Sequence, residues 1–458
     1  MNQHITDIIE SQRAFFLTNA TKSVDFRIQQ LRKLRTAIEA NEKAMYEAID
    51  KDFKKSEFDT YTTEIAIVYQ DIDAAIKHVK EWASIKKVGT NAANLPAKSY
   101  IVPEPLGNAL VIGAWNYPYQ LSFAPAVAAI AAGCTIILKP SELPTNTSTI
   151  IKKIVEENFQ SEYFAVIEGG VSETSLLLNQ KFDKIFFTGS ATVGKIVYRA
   201  AAEHLTPVTL ELGGKCPGII AADCKIDISA KRLVWAKFLN AGQTCIAPDY
   251  LVVHKSIKDI FIKHLIKEIE ASSFSFSNGN YVQIINEHHF DRLTRLISKE
   301  NIIYGGNFNK SERYIEPTIL SAKDFDVEVM KEEIFGPILP ILEYESLEEL
   351  ISKLQTLPKP LACYVFTESH DIKSKVLSEM SFGGGGINEA VMHISNIQLP
   401  FGGVGSSGIG SYHGEAGFRT FTHYKSILEK TTLLELNLKY HPHNDFKFNL
   451  IKKIMKWQ

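Results

Sequence analysis

The sequence predicts an α/β protein of three layers, in which helices cover both faces of parallel sheets. Apolar residues recur at helical spacing through the first hundred residues. Short apolar segments then alternate with helical ones between residues 108 and 210, and a second such region begins after Gly214 and extends to about Gly402. Because strand, helix and strand at this interval form βαβ units, the strands are expected to be parallel. Right-handed crossovers then place ligand-binding loops at the carboxyl ends of the strands.

The predicted elements are as follows, in chain order. Two helical faces of the N-terminal region are formed by Ile28, Leu31, Leu34 and Ile38, and by Ile65, Val68, Ile72, Ile76 and Val79. In the first α/β region the predicted strands are 108–112, 135–138, 164–167, 184–187 and 208–210, and the predicted helices are 121–132, 145–157, 173–179 and 193–203. The second region has strand candidates at 219–221, 250–254, 338–344 and 362–366, and predicted glycine-rich loops at 383–386 and 401–410.

Composition narrows the class of protein. A chain of 458 residues has room for two or three domains, and its content of 45% hydrophobic and 22% charged residues is typical of soluble globular proteins. A net charge of −2 gives no basic footprint, so nucleic acid is not an expected partner. The longest apolar segment, 124–132, is far shorter than the ~20 residues of a transmembrane helix.

The cysteines and the N-terminus indicate the compartment. The five cysteines are scattered and show no metal-ligand spacing, which disfavours both a zinc site and a disulfide framework. Residues 1–10 carry acidic side chains and no apolar core, unlike a signal peptide. We therefore expect a reduced cytoplasmic enzyme that needs no metal.

Cys245 and Glu211 are the residues that point most directly to chemistry. Cys245 lies between glycine and proline in Gly-Gln-Thr-Cys-Ile-Ala-Pro, and Glu211 ends a predicted strand before Leu-Gly-Gly. Oxidation of an aldehyde requires a nucleophile that makes the carbon tetrahedral and a base that activates water to release the acyl group, and a thiolate and a carboxylate suit these tasks. Taken singly, a packed core thiol and a solvent-facing strand-end acid are the more common interpretations.

Asn116 adds a third polar group. It follows a predicted strand in Ala-Trp-Asn-Tyr-Pro, and its side-chain amide together with the backbone N–H of Cys245 is suited to stabilising an oxyanion. Asparagine before such a turn is more often a turn residue only.

The segments Trp-Asn-Tyr-Pro, Phe-Thr-Gly-Ser, Leu-Glu-Leu-Gly-Gly and Gly-Gln-Thr-Cys occur in this order, and the chain on this evidence resembles the aldehyde dehydrogenases. Its length and the later segment Ser-Tyr-His-Gly resemble the class 3 or fatty-aldehyde branch. The resemblance implies a Rossmann-type cofactor domain (1–85 and 105–212), a catalytic domain (213–405), an oligomerisation arm (86–104 and 406–430), a tail (431–458) and a homodimer.

The resemblance also implies the reaction. Cys245 would be the nucleophile, Asn116 and the Cys245 N–H would hold the oxyanion, and Glu211 would activate water in an NAD(P)⁺-dependent oxidation of an aliphatic or aromatic aldehyde to the acid. The other cysteines are expected in the core: Cys134, Cys216, Cys224 and Cys363. Two alternatives stay open, namely an acylating enzyme that passes the acyl group to coenzyme A and a catalytically silent protein with this fold.

Three segments are expected to hold the cofactor. The first segment joins a strand to a helix, where backbone N–H groups and the helix dipole favour a pyrophosphate. Its expected contacts are Thr188, Gly189, Ser190 and Gly194. Their spacing departs from G-x-G-x-x-G, so the assignment rests on the resemblance.

In the other two cofactor segments, Lys139 and Glu142 would bind the adenosine ribose, and Glu333 and Phe335 the nicotinamide ribose and its surroundings. An acid at the adenosine ribose favours a 2′-hydroxyl, yet the branch accepts either cofactor, so NAD and NADP both remain candidates.

Substrate contacts and the tail complete the expectations. Tyr117 and Phe401 are expected to line the aldehyde tunnel. In the tail, Phe446, Leu450 and Ile454 share one face among lysines. Such a helix packs on its own protein, on a sister subunit, or on a membrane surface, and these outcomes stay open.

Overall fold

The computed structural model of the chain describes residues 2–297 and 301–456. Its helices are α1 (Asn2–Leu17), α2 (Val24–Phe53), α3 (Glu57–Thr60), α4 (Ala66–Trp82), α5 (Pro118–Ala132), α6 (Thr145–Glu156), α7 (Val171–Leu178), α8 (Ala191–Glu203), α9 (Ile226–Phe238), α10 (Lys258–Ser272), α11 (Glu287–Arg295), α12 (Glu328–Lys331), α13 (Leu347–Gln355), α14 (His370–Glu379), α15 (Gly414–Thr420) and α16 (Asp445–Met455). One π-helical turn, Tyr61–Ile65, joins α3 to α4.

The strands are β1 (Lys86–Val88), β2 (Ala97–Pro105), β3 (Asn108–Ile112), β4 (Thr135–Lys139), β5 (Phe164–Val166), β6 (Lys184–Thr188), β7 (Val208–Glu211), β8 (Pro217–Ile220), β9 (Tyr250–His254), β10 (Ile302–Tyr304), β11 (Phe308–Asn309), β12 (Tyr314–Ile315), β13 (Thr318–Ser321), β14 (Ile338–Tyr344), β15 (Ala362–Phe366), β16 (Gly384–Ile387), β17 (Gly408–Ile409) and β18 (Thr422–Lys430). Each strand and helix predicted in the two α/β regions is present, with ends that differ by three residues at most.

A six-stranded sheet, which we call the first sheet, has the order β17-β7-β6-β3-β4-β5. All its neighbouring strands are parallel except the pair β17–β7. The first strand of this sheet in the sequence is β3. The next two, β4 and β5, lie on one side of it, and β6 and β7 lie on the other. The order therefore reverses between β3 and β6, where an open α/β sheet has its ligand crevice.

Helices cover both faces of the first sheet. Leu110 and Ile112 of β3 face a core shared with α1, α7 and α8, whereas Ala109 and Val111 face a core shared with α2, α4 and α5. This alternation is the two-residue period of a strand, and both faces are apolar because both are covered. The prediction of an α/β protein with three layers is confirmed.

The second sheet has the order β10-β13-β14-β9-β8-β15-β16 and is parallel except for the pair β10–β13. The sequence prediction of a loop at 383–386 is wrong, because this segment enters β16 and pairs with β15. Gly385 lies opposite Cys363, and any side chain on Gly385 would collide with the Cys363 carbonyl oxygen. Glycine here permits a close approach between strands, although it looks like a loop in the sequence.

A third sheet is antiparallel and has the order β1-β2-β18, and β11 pairs with β12 in a separate two-stranded antiparallel sheet. β18 pairs with β2 along its whole length, and most β18 residues are exposed. Within the predicted arm segment 406–430, β17 instead joins the first sheet and α15 packs against α5. α16 follows in the tail, whose last two residues, 457 and 458, lie outside the described residues.

Candidate active site

The loop that carries Cys245 is held in an unusual backbone conformation. After α9, Asn240, Ala241 and Gly242 all have positive φ (54°, 52° and 71°). Left-handed backbone costs energy at residues other than glycine, so surrounding contacts must enforce it. The fully buried Gln243 supplies such contacts. Its side-chain oxygen accepts from the Ile285 N–H at 3.0 Å, and its amide nitrogen donates to the carbonyl oxygens of Asn240 and Gln283, each at 3.1 Å.

The structure brings Cys245 and Glu211 together. Both line one cavity of about 320 Å³ that opens at the protein surface. The inner residues of this cavity are buried, whereas residues at its mouth are exposed: Phe58 is 75% exposed, Trp235 42% and Met392 44%. The cavity is lined by Phe58, Asp59, Thr62, Thr63, Ile67, Tyr117, Gln120, Leu121, Thr188, Glu211, Leu212, Trp235, Leu239, Thr244, Cys245, Ile246, Val391, Met392, Ile394, Ser395, Phe401 and Tyr412.

Burial controls the charge of both groups. Burial, followed by the carboxylates of Glu333 and Glu211, raises the pKa of the Cys245 thiol, while the backbone N–H groups of Cys245 and Ile246 act in the opposite direction. Burial also raises the pKa of Glu211 well above its ordinary value. Neither Glu211 carboxyl oxygen has a hydrogen-bond partner among the described residues. A buried carboxyl without partners is suited to accepting a proton.

Asn116 lies against the cysteine loop. It is buried just beyond the carboxyl end of β3, and its side-chain nitrogen donates to the Gln243 carbonyl oxygen at 3.0 Å. Its own carbonyl oxygen accepts from the Asn240 side chain, also at 3.0 Å. A primary amide has two N–H donors, so one donor remains for another acceptor near Cys245.

The segment predicted to hold pyrophosphate lies at the crevice between β6 and β3. The Ser190 hydroxyl caps α8 by accepting from the Val193 N–H at 3.3 Å. The Gly189 N–H donates to the Glu211 carbonyl oxygen at 3.0 Å, which links this loop to the catalytic candidates. The Thr188 hydroxyl is buried, lines the cavity and has no partner among the described residues. A helix N-terminus with a free hydroxyl beside it fits an anionic cofactor.

Close packing fixes the start of α8. A Cβ on Gly194 would lie 2.6 Å from a Leu212 methyl carbon, and a Cβ on Gly189 would lie 2.6 Å from the Phe187 ring. Both glycines therefore permit the helix start to approach the strand ends, as a bound dinucleotide requires.

Lys139 is the last residue of β4, the strand next to β3, and Glu142 follows in the loop after it. The buried Lys139 amine donates to the Pro140 carbonyl oxygen at 2.8 Å and lies 3.5 Å from a carboxylate oxygen of Glu142. Burial lowers the pKa of Lys139, and Glu142 acts against that shift. The ion pair thus presents donors and acceptors for ribose hydroxyls at the same edge of the sheet as Ser190.

Glu333 and Phe335 come from the second α/β region and reach the first. The Glu333 carboxylate occupies the space where a side chain on Gly213 would project. Burial and the nearby Asp249 raise the pKa of Glu333 to about 8. Phe335 has a φ of 50°, and its ring lies edge-on to Trp115 with centroids 5.3 Å apart. The segment predicted to contact the nicotinamide ribose therefore lies beside the loops after β3 and β7.

Tyr117 and Phe401, predicted to contact the substrate, both line the cavity. The Tyr117 hydroxyl hydrogen-bonds the Thr244 hydroxyl at 2.6 Å, next to Cys245. Phe401 packs edge-on against Tyr412, another cavity residue, with ring centroids 5.7 Å apart.

Sequence reasoning missed the outer wall of the cavity. Phe58 and Asp59 of α3 and Thr62 of the π-helical turn lie more than 180 positions from Cys245, and Met392 reaches the cavity from the second α/β region. A local signal was absent because a π turn resembles any helix in sequence. His413 is buried outside the cavity lining, and its Nδ1 lies 2.9 Å from an Asp71 carboxylate oxygen.

The chain is similar to known proteins along most of its length. The model of the aldehyde dehydrogenase family matches residues 2–427. The 4,4'-diaponeurosporen-aldehyde dehydrogenase of Staphylococcus aureus (strain NCTC 8325 / PS 47) is 47% identical over 449 residues, covering 97% of each chain. Aldehyde dehydrogenase family 3 member A2 of Pongo abelii is 43% identical, covering 97% of this chain and 93% of its own.

Two further comparisons concern assembly and structure. The rat (Rattus norvegicus) protein named aldehyde dehydrogenase, dimeric NADP-preferring, is 43% identical, covering 94% of this chain and 96% of its own. A solved structure described as the substrate-bound state of Staphylococcus aureus AldH superposes with a TM-score of 0.96 at 46% identity, covering 98% of this chain and 99% of its own.

The chain belongs to the aldehyde dehydrogenase family. Within it, the chain falls in the class 3 or fatty-aldehyde branch that its motifs predicted. It is an NAD(P)-dependent aldehyde dehydrogenase, an enzyme that oxidises an aldehyde to the carboxylic acid.

Proposed function

We propose that Cys245 and Glu211, which line the 320 Å³ cavity, carry out this reaction together with Asn116, which hydrogen-bonds the Cys245 loop. Cys245 attacks the aldehyde carbon as the thiolate, and the carbonyl oxygen becomes an oxyanion that accepts hydrogen bonds from the second Asn116 amide N–H and the Cys245 N–H. A nicotinamide held by Glu333 and Phe335 would supply the hydride acceptor for this carbon. Glu211 then takes a proton from the water that attacks the thioester, and the carbon–sulfur bond breaks to release the acid.

One observation supports this assignment above the others. Cys245 lines the same cavity as a buried Glu211, whose two carboxyl oxygens have no hydrogen-bond partner within residues 2–297 and 301–456. Acyl transfer to coenzyme A has no need for such a base, so its presence favours hydrolysis over the acylating alternative. A silent protein has no chemical need for it either.

Cofactor binding is proposed for the residues at the crevice of the first sheet. The pyrophosphate would lie against Gly189, Ser190 and Gly194, beside Thr188. Lys139 and Glu142 would bind the adenosine ribose. Glu333 would hold the nicotinamide ribose, with Phe335 packed beside it. Because Glu142 is acidic yet neutralised by Lys139, we propose use of both NAD and NADP.

The aldehyde is proposed to be aliphatic, of medium or long chain, or aromatic. The cavity walls are mainly apolar, from Leu121 and Phe401 inside to Phe58 and Trp235 at the exposed mouth. Such walls favour a substrate that buries apolar surface rather than a small polar aldehyde.

Domain organisation and assembly are proposed as follows. Residues 1–85 and 105–212 form the cofactor domain and 213–405 the catalytic domain. In the arm, β1, β2 and β18 present an exposed antiparallel sheet for a second copy, consistent with a dimer like the relative named dimeric. The apolar face of α16, formed by Phe446, Leu450 and Ile454, would pack on that second copy, with peripheral membrane contact as the alternative.

Two features of the chain bear on where the protein is located. Among residues 2–297 and 301–456, no helix has the length and apolar content to cross a bilayer. All five cysteines are free thiols, and we propose a cytoplasmic location on this basis.

The assignment is tested with Cys245→Ala. We expect aldehyde-dependent NADH formation to vanish, while cofactor binding, measured by fluorescence quenching, persists. Cys224→Ala is the matched control, since Cys224 is buried away from the cavity, and should retain activity. Activity in Cys245→Ala would refute the mechanism. Product analysis with and without coenzyme A separates the alternatives, because an obligatory acyl-thioester product would exclude hydrolysis by Glu211.

A further inference from the structure

The cavity has acidic side chains at two depths. Of its described lining residues, Glu211 lies deep beside Cys245, and Asp59 lies in the outer part with the exposed Phe58 and Thr62. No lysine, arginine or histidine lines this cavity in the described parts of the chain. An aldehyde that places its carbonyl carbon at Cys245 therefore directs its other end towards Asp59.

Asp59 shares its cation with a second carboxylate. Lys55 favours the charged form of Asp59, but the Lys55 amine lies 2.7 Å from a carboxylate oxygen of Glu64, and these two side chains are 1% and 0% exposed. Lys55 and Glu64 cancel each other, so the three groups together carry one net negative charge. The half-buried Asp59 makes its side-chain contact with the Ser56 hydroxyl, which is neutral.

The surroundings strengthen the effect of that charge. Burial raises the pKa of Asp59, while Lys55 and Ser56 act in the opposite direction. The apolar walls formed by Ile67 and Trp235 give weaker screening than bulk water. An anionic group brought into this part of the cavity meets a like charge, and none of the described lining residues is a cation, whereas a cationic group meets a partner.

We propose that Asp59 is a specificity-determining residue that rejects aldehydes with an anionic group at the far end and accepts neutral or cationic ones. The inference rests on the proposed function, because it assumes that the carbonyl lies at Cys245. Like charges at close range discriminate between ligands more strongly than an added attraction does. The selection thus arises at the mouth and leaves the chemistry at Cys245 unchanged.

The test compares three aldehydes of equal chain length: an unsubstituted alkanal, its ω-carboxylate analogue and its ω-trimethylammonium analogue. In Asp59→Asn we expect kcat/KM to rise roughly tenfold for the carboxylate and to fall for the cation, with the alkanal within about twofold of wild type. Asp59→Glu should keep the wild-type order. Glu57→Gln, which removes a charge two positions away on α3 and outside the cavity lining, should leave all three values unchanged.

Salt gives a second measurement that needs no variant. Because the mouth is open to solvent, raising ionic strength should weaken the discrimination between carboxylate and cation in the wild type. A carboxylate-to-alkanal ratio of kcat/KM that stays the same in Asp59→Asn, or that changes equally in Glu57→Gln, would overturn the proposal. Alkanal oxidation that persists in these variants while the ratio stays constant refutes only the role of Asp59. If the proposed role of Cys245 is itself wrong, a different result shows it: Cys245→Ala still oxidises the alkanal.

Discussion

The buried pair of Lys55 and Glu64 should be the most sensitive ionic contact beside the cavity. The Lys55 amine lies 2.7 Å from one Glu64 oxygen and 4.2 Å from the centre of the Tyr117 ring. The other Glu64 oxygen accepts the N–H groups of Tyr119 at 2.8 Å and Gln120 at 3.3 Å, which begin α5. Lys55→Met would keep the apolar stem and leave Glu64 as a buried charge without its cation.

We expect Lys55→Met to lower the free energy of unfolding by about 3–5 kcal/mol, as is found when one partner of a buried ion pair is removed. Urea denaturation followed by tryptophan fluorescence measures this change. Lys310→Met is the matched control, because the Lys310–Asp291 pair is about half exposed and should contribute at most about 1 kcal/mol.

A second substitution separates charge from shape. Adding Glu64→Gln to Lys55→Met removes the stranded charge but keeps an oxygen for the N–H groups at the start of α5. We expect this double variant to recover at least about half of the lost free energy. If Lys55→Met is as stable as Lys310→Met, or if Glu64→Gln restores nothing, the electrostatic reasoning is wrong.

Three further predictions concern catalysis, cofactor and fold. Glu211→Gln should slow turnover but leave a first-turnover burst of NADH. Since burial raises the pKa of Glu211, the wild-type kcat should fall with decreasing pH well above 4.5, and this fall should be absent from the variant. A pH profile of kcat that is the same in both proteins would contradict the role of Glu211 as base. Glu142→Gln should raise kcat/KM with NADP relative to NAD by about fivefold, and a constant ratio would exclude a contact with the adenosine ribose. Gly385→Ala should destabilise the protein by about 3 kcal/mol or more, because the added methyl group would collide with the Cys363 backbone. Gly89→Ala is the control and should change stability by less than about 0.5 kcal/mol, because the space around Gly89 is open. Equal urea midpoints for the two variants would refute the packing argument.

Much of the fold could be predicted because its signals are local. Four of the five residues of β3, from Ala109 to Ile112, are apolar and buried, which is typical of a central parallel strand. Glycine and proline around Cys245 likewise indicate an irregular loop. The prediction was wrong at β16, because its glycines are typical of a loop. Glycine is required there by the close approach of the neighbouring strand and not by the strand propensity of its own residues.

The sequence by itself determined the parallel α/β order, the reactive residue types and the family to which the chain belongs, because periodicity and motifs are properties of contiguous residues. Only the tertiary structure decided which distant segments share the cavity. It brought Asp59 to the mouth that leads to Cys245, and it buried Glu211 where no residue of the described ranges hydrogen-bonds its carboxyl oxygens. The physical reason is that burial, and with it the charge state of a side chain, depends on what packs around that side chain from elsewhere in the chain.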